Sequence, residues 1–135
     1  MDRQSWAVRF WQLVALAGVF LVALGTAAFY VDVAAHFRLD FIEHNYDVFG
    51  MSILVGVGVA FVGFIGWARL SDRQGRGVMA ASVFAAPFAA LLLGSPIDGI
   101  NVHGPSAISM MLTIPATILA VIVLNMGRFN SPKVL

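Results

Sequence analysis

Cysteine is absent from this chain of 135 residues. Its absence excludes disulfide bonds, thiolate metal sites and cysteine-bound iron–sulfur clusters. Charged residues are also scarce, since Asp, Glu, Lys and Arg make up 11% of the chain, against about 25% in soluble domains. The net charge is only +1 and the basic residues are dispersed, which argues against nucleic-acid binding. This composition is not that of a water-soluble globular domain.

The chain contains four long apolar runs. Hydrophobic residues make up 60% of the chain, and four runs cover residues 8–30, 49–68, 78–94 and 108–126. Each run is long enough to cross about 30 Å of hydrocarbon. The sequence therefore predicts an all-α integral membrane protein, a four-transmembrane-helix bundle that forms a single domain over residues 1–135. The Gly94-Ser95-Pro96 sequence is expected to stop the third helix.

Basic residues lie at alternate ends of the predicted spans. Seven of the eight precede the first span, fill the second loop or follow the fourth span: Arg3, Arg9, Arg69, Arg73, Arg76, Arg128 and Lys133. The first loop carries several acidic residues against Arg38 alone, and the third loop has no basic residue. By the positive-inside rule, both termini are predicted on the cytoplasmic side of the inner membrane, with loops 1 and 3 facing the periplasm or exterior.

Small residues recur at spacing four in two of the spans. The predicted helix-packing interface consists of Ser52, Gly56, Ala60 and Gly63 in the second span and Ser82, Ala86, Ala90 and Gly94 in the third. Small side chains let helix backbones approach closely in a membrane. Such ridges serve either contact between the protein's own helices, which is the commoner use, or docking of another subunit.

The histidines and most of the acidic residues fall in the two outer loops. From these we select a candidate metal-ligand set: Asp32, His36, His44, Asp98 and His103. Imidazole and carboxylate groups without thiolate suit copper or another transition metal. The other interpretations are hydrated polar loop residues and contacts with a partner subunit. A haem is disfavoured because no histidine lies well inside a span.

A helix along the membrane interface would bring several of these residues together. If residues 33–47 form such a helix, Phe37, Phe41 and Val48 enter the lipid boundary. The polar side then presents Asp32, His36, Asp40, Glu43 and His44. No charged residue falls deep inside a predicted span, which reduces the case for a transporter.

The sequence from Asp32 to His36, which follows an apolar run, has the form Asp-x-x-x-His, and His44 comes before the next run. This resembles the Asp-x-x-x-His…His pattern of the integral C subunit of copper membrane monooxygenases, which oxidise ammonia, methane or short alkanes. In that family the Asp and both His residues bind copper. Asp32 and His36 match by position, whereas Phe49 stands where the family has its second histidine. The resemblance covers about twenty residues and implies a reduced relative or an accessory subunit.

Three functions remain open on the sequence. The first is a small accessory subunit of a larger membrane enzyme or energy-conversion complex, which contacts the lipid bilayer and other membrane subunits through its small-residue helix faces. The absence of a complete catalytic set favours this non-catalytic role. The second is a copper-binding subunit of a membrane monooxygenase or redox complex, with its ligands in the outer loops. The third is a homo-oligomeric channel or transporter.

Overall fold

Helices account for all the regular structure in the described part of the chain. The computed structural model describes residues 3–35, 40–98 and 105–130. It contains α1 (Arg3–Ala34), α2 (Asp40–Glu43), α3 (Tyr46–Arg69), α4 (Arg73–Asp98) and α5 (Pro105–Asn130). The predicted all-α class is confirmed over these residues.

Four of the helices are long and apolar enough to cross a membrane. The qualifying segments are Ser5–Ala34, Tyr46–Arg69, Arg73–Pro96 and Ser106–Met126. A helix is the form that such apolar sequences take, because every backbone N–H and C=O group is then satisfied within one segment. The short α2 lies between the first two long helices and buries Ile42.

The long helices pack mainly as two consecutive pairs, α1 with α3 and α4 with α5, and α3 joins the pairs through α5. The N-terminal part of α1 lies beside the C-terminal part of α3, since Trp11 contacts Gly66. We call this the arginine end of the bundle, because the turn between α3 and α4 there is flanked by Arg69 and Arg73. The opposite end, where α1 finishes, is the Asp32 end.

Direct backbone contact joins α1 to α3. A Cβ atom added at Gly18 would lie 2.3 Å from the Ala60 nitrogen, and one added at Gly63 would lie 2.3 Å from the Ala15 nitrogen. Such distances leave no room for a side chain at either glycine. The Ser52 hydroxyl adds a hydrogen bond of 2.7 Å to the Leu21 carbonyl oxygen. The space beside the small residues of α3 is therefore occupied by α1 of the same chain.

A hydrophobic core joins α3, α4 and α5 at the arginine end. Its buried members are Ala68, Met79, Ala80, Leu119, Ala120, Val123 and Met126. The turn that leads into α4 is closed by Asp72, whose Oδ1 accepts a hydrogen bond of 2.7 Å from the Gly75 amide. Because an N-cap side chain satisfies an amide that the first turn leaves unpaired, Asp72 fixes the start of α4 above this core.

All four long helices extend beyond their apolar runs, and two of them pass a predicted end. The first run ended at Tyr30, whereas α1 continues to Ala34 and includes Asp32. The expected stop at Gly94 is wrong, since α4 continues through Pro96 to Asp98. Proline leaves the carbonyl four residues earlier without its amide partner; here that carbonyl belongs to Leu92, and the Ser95 hydroxyl donates to it at 2.9 Å.

The segment 33–47 does not form one interfacial helix. Its first two residues belong to α1, α2 covers Asp40–Glu43, a turn holds His44 and Asn45, and α3 begins at Tyr46. The amide of His44 donates to the Asp40 carbonyl and that of Asn45 to the Ile42 carbonyl, so the backbone turns before α3 starts. The described polar residues on the two sides of this turn therefore do not share one helix face, and His36 lies outside the described residues.

Candidate functional site

A buried carboxyl group marks the Asp32 end of the bundle. Asp32 lies near the C-terminal end of α1 and is only 1% exposed. The hydroxyl of Tyr46, at the start of α3, donates a hydrogen bond to Asp32 Oδ2. The Tyr46 ring stacks on Phe29, one turn before Asp32, with ring centroids 5.6 Å apart. This stacking orients the phenol toward the carboxyl group, so the pair closes one end of the α1–α3 contact.

The second oxygen of this carboxyl group is unsatisfied. Asp32 Oδ1 is buried and has no hydrogen-bond partner in the described ranges. An unsatisfied polar atom in an apolar surrounding is costly, and more so when it belongs to a charged group. An ionisable side chain retained among apolar helices is therefore a candidate for function. The chemistry open to Oδ1 is the acceptance of a hydrogen bond or the binding of a cation.

A second polar cluster lies nearby, on another side of α1. The Tyr30 and Ser109 hydroxyl groups are 3.3 Å apart, and both residues are buried. Tyr30 also packs over Gly94, where an added Cβ would lie 2.3 Å from a ring carbon of the tyrosine. This cluster ties α1 to α4 and α5. Buried Thr26, one turn earlier on α1, has a hydroxyl oxygen without a hydrogen-bond partner in the described ranges.

The two clusters are separate. Tyr30 and Asp32 are two residues apart, which places their side chains about 200° apart around a helix. Asp32 contacts α3 through Tyr46, whereas Tyr30 contacts α4 and α5. The Tyr30 cluster therefore holds α1 against α4 and α5. The unsatisfied oxygen of Asp32 is the group that remains available to bind a ligand.

The proposed metal-ligand set is only partly described. His36 and His103 lie outside the described residues, and so does the side chain of Asp98, whose backbone ends α4. His44 lies in the turn after α2 and is exposed, with Nδ1 2.8 Å from the Asp40 carbonyl oxygen. Within the described ranges, no three His, Asp or Glu side chains gather as a metal site. The metal assignment therefore stays a prediction.

The two small-residue ridges have different surroundings. Gly56, Ala60 and Gly63 of α3 are buried, and Gly56 and Gly63 contact α1 directly. On α4, Gly94 is buried against Tyr30. In contrast, Ser82 and Ala86 are exposed and Ala90 is half-buried.

No protein-family model, curated protein or solved structure matches the chain.

Two site residues escaped the sequence analysis. Tyr46 carries no motif, and nothing in the sequence links it to Asp32, 14 residues earlier. Ser109 carried no signal of its own beyond being a polar residue inside an apolar run. A phenol or hydroxyl at the end of a span is the type of group that satisfies a buried carboxyl, and that consideration could have paired Tyr46 with Asp32.

Proposed function

We propose that this chain is an integral membrane protein that serves as a small accessory subunit of a larger membrane complex. Its four long helices bury little surface against one another: 33% of the most apolar window is buried in the first and 22% in each of the others. Large apolar side chains remain outside, among them Leu13, Leu54 and Leu93. A surface of this kind requires lipid or partner helices around it.

The single observation that carries the proposal is the exposed small-residue face of α4. We define this α4 face by Ser82, Ala86 and Ala89, all exposed and spaced four and three residues apart. Residues at this spacing share one side of a helix. The comparable ridge on α3 is used inside the chain, whereas the α4 face is open to a partner helix, which could approach as closely as α1 approaches α3.

The proposed orientation has both termini in the cytoplasm. It is supported by the positive-inside rule and by the packing, since the start of α1 and the core residue Met126 of α5 lie at the arginine end. The Asp32 end then faces the periplasm or exterior, which is the side where the metal prediction placed its ligands.

The docking role predicts that a large residue on the α4 face releases the chain from its complex. The chain is tagged in its native host, extracted in mild detergent and sized by native electrophoresis. Ala86→Leu is expected to shift most of the protein from the complex to a lower mass, because the added side chain prevents close helix approach. Ala17→Leu is the matched control, since Ala17 is exposed on α1 beside Leu13 and Phe20.

A cysteine at Ala86 gives a second readout, because the chain has no other cysteine. Cross-linking from this position is expected to yield one product with a distinct protein, whose mass differs from twice that of the chain. A product of two identical chains would instead favour the homo-oligomer. If Ala86→Leu and Ala17→Leu migrate alike, the docking role is wrong.

A copper-binding role is the second candidate, and the unsatisfied Oδ1 of Asp32 favours it. Metal content of the purified chain after copper loading tests it. About one copper per chain is expected in the wild type and in Asp47→Ala, which alters an exposed acid of the same region, and a loss of most of the metal in Asp32→Ala. Equal copper in the two variants, or none in the wild type, would eliminate this role.

A further inference from the structure

Four buried hydroxyl groups lie on the facing sides of α1 and α5. We call Thr26, Tyr30, Ser106 and Ser109 the buried hydroxyl row, since each of them is buried. Thr26 and Tyr30 are one turn apart on α1, and Ser106 and Ser109 are three residues apart on α5, so each pair shares one side of its helix. The Tyr30 and Ser109 hydroxyl groups, 3.3 Å apart, join the two sides. The row is uncharged and begins at the Asp32 end, where α5 starts.

Thr26 is the member of the row whose hydroxyl is unsatisfied. It is 7% exposed, and its oxygen has no hydrogen-bond partner within residues 3–35, 40–98 and 105–130. A buried hydroxyl without a partner costs free energy, whereas a water molecule can donate to it and accept from it. Because Thr26 lies one turn deeper than Tyr30, water from the Asp32 end must pass the Tyr30–Ser109 contact to reach it.

Two prolines lie at the same depth of the α4–α5 pair. Pro87 of α4 is seven residues from the core residue Ala80, and Pro115 of α5 is eight residues from Val123 of the same core. Each proline is therefore about 11 Å from that core, toward the Asp32 end. A proline removes one backbone hydrogen bond inside its helix, and sharp helix bends occur mostly at prolines. Both helices can therefore bend at one level.

The parts of α4 and α5 on the two sides of this level are held differently. On the arginine side, both helices share the hydrophobic core with Ala68 of α3. On the Asp32 side, the Tyr30 ring packs against Gly94 of α4, and its hydroxyl group contacts that of Ser109 on α5. α1 cannot follow a bend easily, because its backbone packs directly on α3. Tyr30 is thus placed to hold the outer halves of α4 and α5 against a fixed α1.

We propose that α4 and α5 form a hinged gate beyond Pro87 and Pro115, that Tyr30 latches this gate against α1, and that its opening admits water to the buried hydroxyl row. Hydration of Thr26 favours the open state, and the two contacts of Tyr30 favour the closed state. The row offers only neutral hydroxyl groups, which suit water and not an ion, because a buried charge needs a charged partner. The inference goes beyond the proposed function and does not depend on docking of the α4 face.

Thiol labelling in lipid nanodiscs tests the gate, because the chain has no cysteine of its own. A charged methanethiosulfonate reacts with the thiolate, which forms poorly in apolar surroundings. Thr26→Cys is expected to react faster than Val123→Cys, whose sulfur would lie in the core at a position that is 0% exposed. Tyr30→Phe is expected to speed the reaction of Thr26→Cys about fivefold, the ratio for loss of one hydrogen bond between neutral groups. Equal rates for the two cysteines would overturn the proposal.

The prolines are tested with the same thiol. Pro87→Ala/Pro115→Ala restores two backbone hydrogen bonds that bending must break, and it is expected to slow the reaction of Thr26→Cys about tenfold. Pro96→Ala is the matched control and should leave the rate unchanged, because the carbonyl that Pro96 frees already accepts a hydrogen bond from Ser95. Equal rates in the double variant and the control would show that α4 and α5 do not bend at this level, and the gate would be wrong.

Gly94→Ala is a second test of the latch that leaves the Tyr30 hydroxyl in the chain. The added Cβ would lie 2.3 Å from a ring carbon of Tyr30, so the ring must move off α4 and the reaction of Thr26→Cys should again be faster. Val123→Cys should stay unreactive in both latch variants. If neither variant changes the rate at Thr26→Cys, or if both raise the rate at Val123→Cys equally, Tyr30 does not latch a gate and the proposal fails.

Discussion

Replacement of Gly63 by alanine is expected to lower the free energy of unfolding by about 3 kcal/mol, the upper part of the usual range for overpacking. The new Cβ would lie 2.3 Å from the Ala15 nitrogen and 2.5 Å from its Cα. These are backbone atoms, which cannot rotate away as a side chain can, so α1 and α3 must separate. In a membrane the separation also removes the close packing on which helix association depends.

The measurement is a titration of helix content with a denaturing detergent in mixed micelles. Gly58→Ala is the matched control: it lies on the same helix, and an added Cβ there meets nothing within 4 Å. That variant is expected to be neutral or to gain up to about 1 kcal/mol from the helix propensity of alanine. Similar losses at Gly58 and Gly63 would show that the α1–α3 contact does not determine stability.

Replacement of Tyr46 by phenylalanine is expected to lower the free energy of unfolding more than loss of the Tyr30 hydroxyl does, because a buried carboxyl group loses its hydrogen-bond donor. The ring can keep its stacking on Phe29, so the change removes only the hydroxyl that Asp32 Oδ2 accepts. Because Oδ1 already has no hydrogen-bond partner in the described part of the chain, both oxygens of the carboxyl would then be buried without a donor. The same detergent titration measures the loss.

Two comparisons identify the cause of that loss. Tyr30→Phe removes a hydroxyl 3.3 Å from that of Ser109, a contact between neutral groups, and should cost only about 1 kcal/mol. The double change Asp32→Val/Tyr46→Phe should be less destabilising than Tyr46→Phe alone, since no polar group is then left unpaired. If the double variant is less stable than Tyr46→Phe, the buried carboxyl group does not depend on the Tyr46 hydroxyl.

The helices were predictable from the sequence to the extent that they are apolar. Hydropathy marks where hydrocarbon can lie, and the four runs each fall within one long helix. It does not mark where a helix ends, because a helix can continue past the apolar run with polar residues. For this reason α1 carries Asp32 beyond Tyr30, and α4 passes through Pro96 once the Ser95 hydroxyl has satisfied the Leu92 carbonyl.

The candidate site was predictable only in part. The sequence selects Asp32 as a candidate metal ligand, and that role stays a prediction, whereas its burial at the end of α1 is seen only in the structure. Its pairing with Tyr46 depends on the course of the chain between α1 and α3, and no local spacing encodes that course. The sequence also left open what each small-residue ridge contacts, since Gly56 and Ala86 belong to ridges with the same spacing of four residues. Only the position of α1 distinguishes them.

The pairing of consecutive helices also bears on how the protein is made. Every residue of the α1–α3 contact precedes Leu70 in the chain, so this hairpin can assemble while the ribosome is still translating α4 and α5. Domains and hairpins completed early in synthesis generally fold first. The α1–α3 hairpin would then be complete in the translocation machinery before the second hairpin packs on it, through the contacts of α5 with α3 and of Tyr30 with α4 and α5.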